Sequence, residues 1–418
     1  MRILFLQFLM IFVSFSLNSH AKTTIGILSS LTQETTTGDP TSLISDAIKS
    51  KETVKTVCLN MIVKNESKVI RRCLESVKNQ IDYWVIVDTG STDGTQEIIK
   101  EFMKEIPGEL HERPWVNFGH NRQEALNLAK NKADYLLLMD ADETLVYSSD
   151  CKNLPLELDY YYVPVQGSKA EFVAYNRFLL INTHFDWEWK DILHEYLEIP
   201  LNAKTFEALK NITCFTDSDG SRADDPKKYY KDAAVFEKAL ETDPDNARYV
   251  FYLAQSYCNA KEYGLAQKYY EKRATMSGGW DAEIFWSLFT SACIQEAEDK
   301  PQNTIINAYY KAYLSDPSRA EPLYRLAKYF NSLGHGISGY ALSKLALSFK
   351  IPKDSMYTQD WVYDYGILCT LYDSARLLNK KEEACSILEM LLTKDSLPED
   401  IRNKTQKALT LLKTICKN

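Results

Sequence analysis

From Val57 to about residue 140, short apolar runs alternate with stretches of helical period. Val57–Val63 and Tyr83–Val87 read as strands, the second ending at Asp88. Tyr135–Met139 is wholly apolar, the pattern of a strand covered on both faces in a parallel sheet. Between them, Glu66–Gln80 sets Val69-Ile70, Cys73-Leu74 and Val77 on one helical stripe. Thr95–Lys104 and His120–Lys130 also read as helices, and Leu110–Arg113 as a short strand. Strands alternating with helices predict βαβ units and a mainly parallel sheet. From 159 to 200 the character changes. Tyr160–Val163, Phe172–Ile181 and Ile192–Ile199 read as strands with no helix between them, which predicts an antiparallel extension of the same sheet.

After Asp225-Pro226 the pattern is helical almost throughout, and it repeats. Phe236, Ala239 and Asp243-Pro244 recur as Tyr309, Ala312 and Asp316-Pro317, and Leu253-Ala254 recurs as Leu326-Ala327, all at an offset of 73 residues. Two units of roughly 34 to 37 residues fit a helix-turn-helix solenoid of the tetratricopeptide type. Leu253-Ala254, Tyr257, Ala266 and Tyr270 supply its small and aromatic positions. A generic helical bundle is the alternative.

The 418 residues carry 45% apolar and 25% charged side chains, ordinary for a globular chain that forms its core without staples. The net charge of -8 offers no global basic field for nucleic acid. Nine cysteines lack any CxxC pairing. Cys58 and Cys369 sit in apolar runs, as packed thiols do, which argues against a disulfide framework. Met1-Arg2, an apolar stretch over Ile3–Leu17 and Ser19-His20-Ala21 fit a secretory signal peptide or a short anchor over residues 1–21. The apolar run is short for a membrane span, which takes about 20 residues. A polar linker over 22–53, an α/β domain over 54–225 and a helical repeat domain over 226–418 complete the expected organisation. Such a chain is exported, secreted or placed in an endomembrane lumen. It contacts membrane if the leader stays uncleaved, and is cytosolic if the leader is a false positive.

Two carboxylates end the most apolar strand, in Asp140-Ala141-Asp142-Glu143. Ligands of open α/β sheets bind at the carboxyl ends of strands, and carboxylates there suit a hard divalent cation that in turn holds a phosphate. A solvated acidic turn is the bland reading. Asp88 ends its own strand, placed to accept hydrogen bonds from a base or ribose, and Gly90, Ser91, Thr92, Asp93 and Gly94 follow it. Glycines there permit positive φ and the hydroxyl and carboxylate groups cap the next helix, so a capped turn alone also explains the segment.

Taken together, Val57–Glu66, Val85–Thr95 and Leu138–Glu143 resemble family 2 glycosyltransferases, with their GT-A nucleotide-sugar-binding fold, over roughly residues 55 to 200. Asn117–Arg122, Asp245–Tyr249 and Gly278–Asp281 resemble the subgroup in which tetratricopeptide-like repeats follow that domain. The resemblance implies that Asp88 contacts the nucleotide, that Asn65 and Glu66 border the same pocket, and that Asp140 lies near the ribose or metal. It implies that Asp142 holds Mn2+ or Mg2+ on the diphosphate. Arg122 would face phosphate oxygens, a geometry its guanidinium suits, or stand as an exposed helix charge. His194 is the candidate second metal ligand. Glu195 is the candidate base, with Asp191 the runner-up. Adjacent strand residues face opposite ways, so His194 and Glu195 share one site only if the backbone turns between them. Trp187 and Trp189 stack on sugar rings or pack in the core. The chain has no clear Glu-Asp motif of the sort with which many members place the base, which leaves the base assignment open but not the donor site.

The implied activity is metal-dependent, inverting transfer of a sugar from a nucleotide-sugar, UDP-linked by preference, to an acceptor hydroxyl on a protein or glycan. The acceptor would dock on the repeats, and no nucleic acid is involved. The alternatives are a repeat-based binding scaffold with a catalytically idle GT-A domain, and a nucleotide-sugar hydrolase.

Overall fold

A computed structural model describes residues 54–148, 156–167, 175–352 and 356–417. The expected leader and polar linker lie outside these residues. The described chain falls into two compact units that divide between Pro226 and Lys227.

The first unit is a mixed sheet ordered β3-β2-β1-β4-β7-β6-β11-β5, with β10 added against β6. Strands β1 (Val57–Val63), β2 (Tyr83–Asp88), β3 (Gly108–Glu112) and β4 (Tyr135–Leu138) run parallel. Helices α1 (Ile70–Val77), α2 (Thr95–Phe102) and α3 (Phe118–Ala129) alternate with them. Alternation along β1 explains why the sheet is covered on both faces. Leu59, Met61 and Val63 pack with Ile70, Cys73, Leu74 and Ile99 from α1 and α2. Cys58 turns to the other face, with Leu126 and Ala129 of α3. Buried Asn60 adds a polar clasp on that face, donating to the carbonyls of Val85 at 3.3 Å and Ala125 at 2.9 Å.

The antiparallel extension forms as expected. β7 (Tyr175–Asn182) pairs antiparallel with both β4 and β6 (Tyr160–Gly167). Residues 172–174 of the anticipated strand lie outside the described residues. Four further short strands escape the apolar pattern: β5 (Glu143–Tyr147), β8 (Glu188–Lys190), β10 (Phe206–Ala208) and β11 (Ile212–Thr216). The strand expected over Ile192–Ile199 is corrected to β9 (Tyr196–Glu198), which pairs with β8 as a hairpin. The helix expected from Glu66 begins only at Ile70, and ahead of it the backbone N–H groups of Glu66 and Ser67 are bonded to Thr95 and Asp93 in the neighbouring loop.

The second unit is wholly helical: α4 (Lys228–Thr242), α5 (Ala247–Asn259), α6 (Tyr263–Thr275), α7 (Asp281–Ala297), α8 (Gln302–Ser315), α9 (Glu321–Ser332), α10 (Gly336–Ala346), a π-turn at Val362–Gly366, α11 (Ile367–Leu377), α12 (Lys381–Leu392) and α13 (Glu399–Lys417). Each helix packs on the next, and α5 also meets α7 as α9 meets α11, so alternate helices share a layer. The repeat offset is structural: Phe236 and Tyr309 take equivalent places on α4 and α8, and both are fully buried. Leu253-Ala254 and Leu326-Ala327 do the same on α5 and α9. Gly278 and Gly279, at φ 78° and 72°, curl around the fully buried Arg273, which donates to the carbonyls of Gly278 and Trp280 and to the Glu283 carboxylate at 3.0–3.2 Å.

Among the described residues no helix is long and apolar enough to cross a membrane. Cys58, Cys73, Cys214, Cys258 and Cys293 are buried free thiols and Cys369 is half-buried.

Candidate active site

The loops after β1 and β2 are stitched to each other at the carboxyl ends of the strands. Asn65, at φ 57°, donates its N–H to Ser91 Oγ at 2.8 Å and accepts from the Thr92 N–H at 2.8 Å. Against the opposing effect of burial, the Thr95 hydroxyl at 2.6 Å and the N–H groups of Ser67 and Thr95 donate to Asp93 and hold its carboxyl down at about 2. The turn tightens through Gly90 and Gly94, whose φ of 107° and 89° suit glycine.

Asp88 is the fully buried member of this loop. Its Oδ1 accepts from the N–H groups of Gly90 and Ser91 at 2.9 and 2.8 Å. Its Oδ2 is buried with no hydrogen-bond partner. A buried carboxylate oxygen without a donor is costly, and each such atom calls for an explanation.

The acidic turn after β4 places its carboxylates in opposed surroundings. Arg122 of α3 donates from Nη2 to Asp140 Oδ1 at 2.6 Å, and Glu143 is clamped by Arg177 of β7 at 2.6–2.7 Å. Burial pushes the Asp140 carboxyl up, but Arg122 and Arg177 outweigh it and hold the group below its ordinary range. Asp142 stands on the other side of the turn, with no ion pair to its carboxylate among the described residues. Burial, then the charges of Asp140, Glu143 and Glu66, push its carboxyl up to about 7. Glu66 is raised by burial and by Asp140 and Asp93, against its bonds from Ser221. The chain at Gly220 passes over both acids, so a Cβ there would stand 3.2 Å from Glu66 Oε2 and 3.4 Å from the Asp142 carboxylate. Arg72 anchors this crossing through Asp217 at 3.1 Å and Asp219 at 2.7 Å.

The far wall is the loop between β8 and β9. Asp191 and His194 take φ of 69° and 55°, so the chain reverses at both residues, which meets the condition for His194 and Glu195 to approach one site. The loop docks on the first turn of α3, where Phe118 N–H bonds the Ile192 carbonyl at 3.2 Å. Gly119 permits the approach, since a Cβ there would lie 2.0 Å from the Asp191 carbonyl oxygen. Docking brings Glu195 Oε1 to 2.7 Å from Arg122 Nε, and the guanidinium lies 5.2 Å over the Trp189 ring. Trp187 packs into the core at 4% exposure and donates to the Asn182 carbonyl, so it is not available to stack on a sugar.

The structure therefore joins Arg122, Asp140 and Glu195 in one ion-paired cluster, sets Glu66 beside Asp142 under Gly220, and holds Asn65 and Asp88 in one pair of loops. Asp191 and His194 share the turn that delivers Glu195. Among the described residues no three His, Cys, Asp or Glu side chains form a ready metal cage. Sequence reasoning missed Arg177, Arg72 and the crossing at Gly220. The one signal was a lone arginine inside the apolar strand Tyr175–Asn182.

Residues 58–154 match the model of the family "Glycosyl transferase family 2". A TPR repeat-containing protein of Synechococcus elongatus is 39% identical over 90 residues, which are 22% of this chain and 21% of that one. An uncharacterized glycosyltransferase of Rickettsia felis is 32% identical over 121 residues, 29% of this chain and 38% of its own. The chain thus spans between about a fifth and two fifths of the length of these curated relatives. The crystal structure of S. aureus TarS 1–349 in complex with UDP-GlcNAc aligns at 14% identity and TM-score 0.32, over 62% of this chain and 88% of that one.

Proposed function

We propose that the family 2 glycosyltransferase domain carried by this chain is catalytically active, moving a sugar from a nucleotide-sugar, UDP-linked by preference, to an acceptor hydroxyl with inversion. The observation that carries this reading is Asp142: a carboxylate at a strand end, ringed by Asp140, Glu143 and Glu66, with no ion pair to its carboxylate among the described residues and Arg72 bonded only to its main-chain carbonyl at 3.4 Å. Clustered carboxylates of that kind favour either a proton or a divalent ion. The donor chemistry fits Mn2+ or Mg2+, for which one or two protein carboxylates suffice when substrate phosphates and water complete the shell. Asp142 would hold the ion, with His194 the candidate second ligand. Bound there, the ion would neutralise charge developing on the departing diphosphate.

The chain's own residues do the rest. Asp88 Oδ2 accepts a hydrogen bond from the base or ribose, which satisfies its orphaned oxygen. Asn65 fixes the loop that presents Asp88, and Glu66 borders the same pocket. Arg122 has both arms occupied by Asp140 and Glu195, so it acts by holding those carboxylates in place. Glu195 bonds Arg122 through Oε1, leaving Oε2 as the candidate base. The acceptor O–H gives its proton to that carboxylate, its oxygen forms the new bond to the anomeric carbon, and the bond from that carbon to the diphosphate breaks. Asp191, on the same turn, is the second candidate base. Positioning and electrostatics supply the rate. A protein or glycan is the proposed acceptor, with the helical unit as its dock, and an exported or lumenal location follows if residues 1–21 act as a leader.

A screen of nucleotide-sugars, UDP-sugars included, for metal-dependent release of sugar tests the reading without knowledge of the acceptor. Turnover of one donor that stops with EDTA supports it. Folded protein that turns over none of them, with and without metal, overturns it.

A further inference from the structure

After β11 the chain crosses Glu66 and Asp142 as a strap over residues 217–224. Its one apolar side chain, Ala223, is exposed, so no core packing holds the strap down. Polar contacts hold it instead. At its start Arg72 of α1 pairs with Asp217 at 3.1 Å and Asp219 at 2.7 Å. In its middle the exposed Ser221 is latched to the loop after β1. The Ser221 N–H donates to Glu66 Oε2 at 3.1 Å. Its hydroxyl reaches the Lys64 carbonyl at 2.8 Å and Glu66 Oε1 at 3.1 Å, and donates to one of them at a time. At its end Arg222 lies 4.8 Å over the Phe118 ring, and Lys68 pairs with Asp224 at 3.2 Å in solvent. An exposed ion pair of that kind contributes less than about 1 kcal/mol. A segment held by such contacts, with no buried apolar side chain, opens far more cheaply than the whole domain unfolds.

The strap also covers the face of the acids that a donor has to reach. Buried Gly220 passes so close that a Cβ there would lie 3.2 Å from Glu66 Oε2 and 3.4 Å from Asp142 Oδ2. A divalent ion on that oxygen would sit about 2.1 Å away, with its opposite ligand about as far again beyond it. The Gly220 main chain stands within that reach, so the strap and an ion-bound diphosphate compete for one face of Asp142.

We infer that residues 217–224 gate the donor site, latched shut by Ser221 on Glu66, and that a nucleoside diphosphate with its divalent ion displaces Gly220 and Ser221 to reach Asp142. The inference rests on the transferase reading. Measured affinity is then the affinity of the open form reduced by the fraction of chains that are open, so a weaker latch tightens binding.

Trypsin cleavage after Arg222, located by mass spectrometry, reads the open fraction without metal or nucleotide. Ser221→Ala removes the hydroxyl half of the latch and should be cut there at least about threefold faster than the parent. Calorimetry with UDP and Mn2+ should find the variant binding tighter by at least about the same factor. UDP with Mn2+ should also speed the cut in the parent, because the ligand holds the strap open, and this arm decides the matter if the variant does not fold. Equal cutting of parent and variant overturns the latch. Unchanged UDP affinity in the variant, or a parent strap that UDP and Mn2+ protect from trypsin, overturns the gate. These failures leave the transferase reading standing, whereas UDP that binds neither chain overturns that reading and the gate together.

Discussion

Arg122 and Glu195 lie 73 positions apart in the sequence and bond at 2.7 Å, while the same guanidinium bonds Asp140 at 2.6 Å. Helix α3, the turn after β4 and the β8–β9 loop therefore meet at one cation. Breaking a buried pair by removing one partner costs about 3–5 kcal/mol, because the other charge stays behind uncompensated. Arg122→Met should destabilise the protein by about that amount or somewhat less, since Asp140 is partly solvated. Adding Glu195→Gln should recover part of the loss. Urea denaturation of the two single variants and the double variant reads the coupling, and strictly additive losses would contradict the cluster.

Asp142 makes an opposite prediction. Its carboxyl is pushed up to about 7 from an ordinary value of 3.8. Between those values the folded chain keeps a proton that the unfolded chain has lost. Stability of the metal-free protein therefore falls as pH rises from about 4 to 7, and stays low above. Asp142→Asn removes the charge and should stabilise the metal-free protein by about 1–3 kcal/mol at pH 8 while adding little at pH 4. Denaturation in EDTA at the two pH values checks this. Equal pH dependence in both proteins would show that Asp142 carries no such strain.

Gly119 tests how the far wall is delivered. Alanine there sets a Cβ 2.0 Å from the Asp191 carbonyl, so the loop through Glu195 has to move. Backbone cannot yield as a side chain does, and the expected cost is about 1–3 kcal/mol. Any transferase activity should fall by a larger factor than stability explains, as a displacement of about 1 Å can cost 10²-fold. Thermal melting beside turnover separates the two. An unshifted melting temperature would mean that the loop is not packed on Gly119.

The parallel half of the fold and the repeat were legible because each rests on local pattern. Apolar runs gave β1, β2 and β4, and the 73-residue offset marked buried helix positions such as Phe236 and Tyr309. The β8–β9 loop was hidden because Asp191 and His194 adopt positive φ without being glycine. The Glu143–Arg177 clamp joins residues 34 apart on β5 and β7, strands that β6 and β11 separate in the sheet, a pairing no local pattern announces. Ahead of helix α1 the chain is instead tied to the Asp93–Thr95 turn, a contact between distant segments that the helical stripe does not show.

Asp88→Asn discriminates a binding oxygen from a structural one. Asparagine keeps an acceptor for the N–H groups of Gly90 and Ser91, so folding should survive. The orphaned Oδ2 becomes an NH2 that repels the donor of a base or ribose. UDP affinity should fall at least tenfold, about 1.4 kcal/mol. Unchanged UDP affinity would leave Asp88 as a turn residue only.

Calorimetric titration of UDP into the full chain, with and without Mn2+, in the parent and in Asp142→Asn, reaches the central claim most directly. The account predicts binding in the parent that weakens at least tenfold when metal is withdrawn, and binding in the variant that is weak with or without metal. Folded parent protein that binds no UDP, or a variant that retains the parent's affinity and metal dependence, would contradict it.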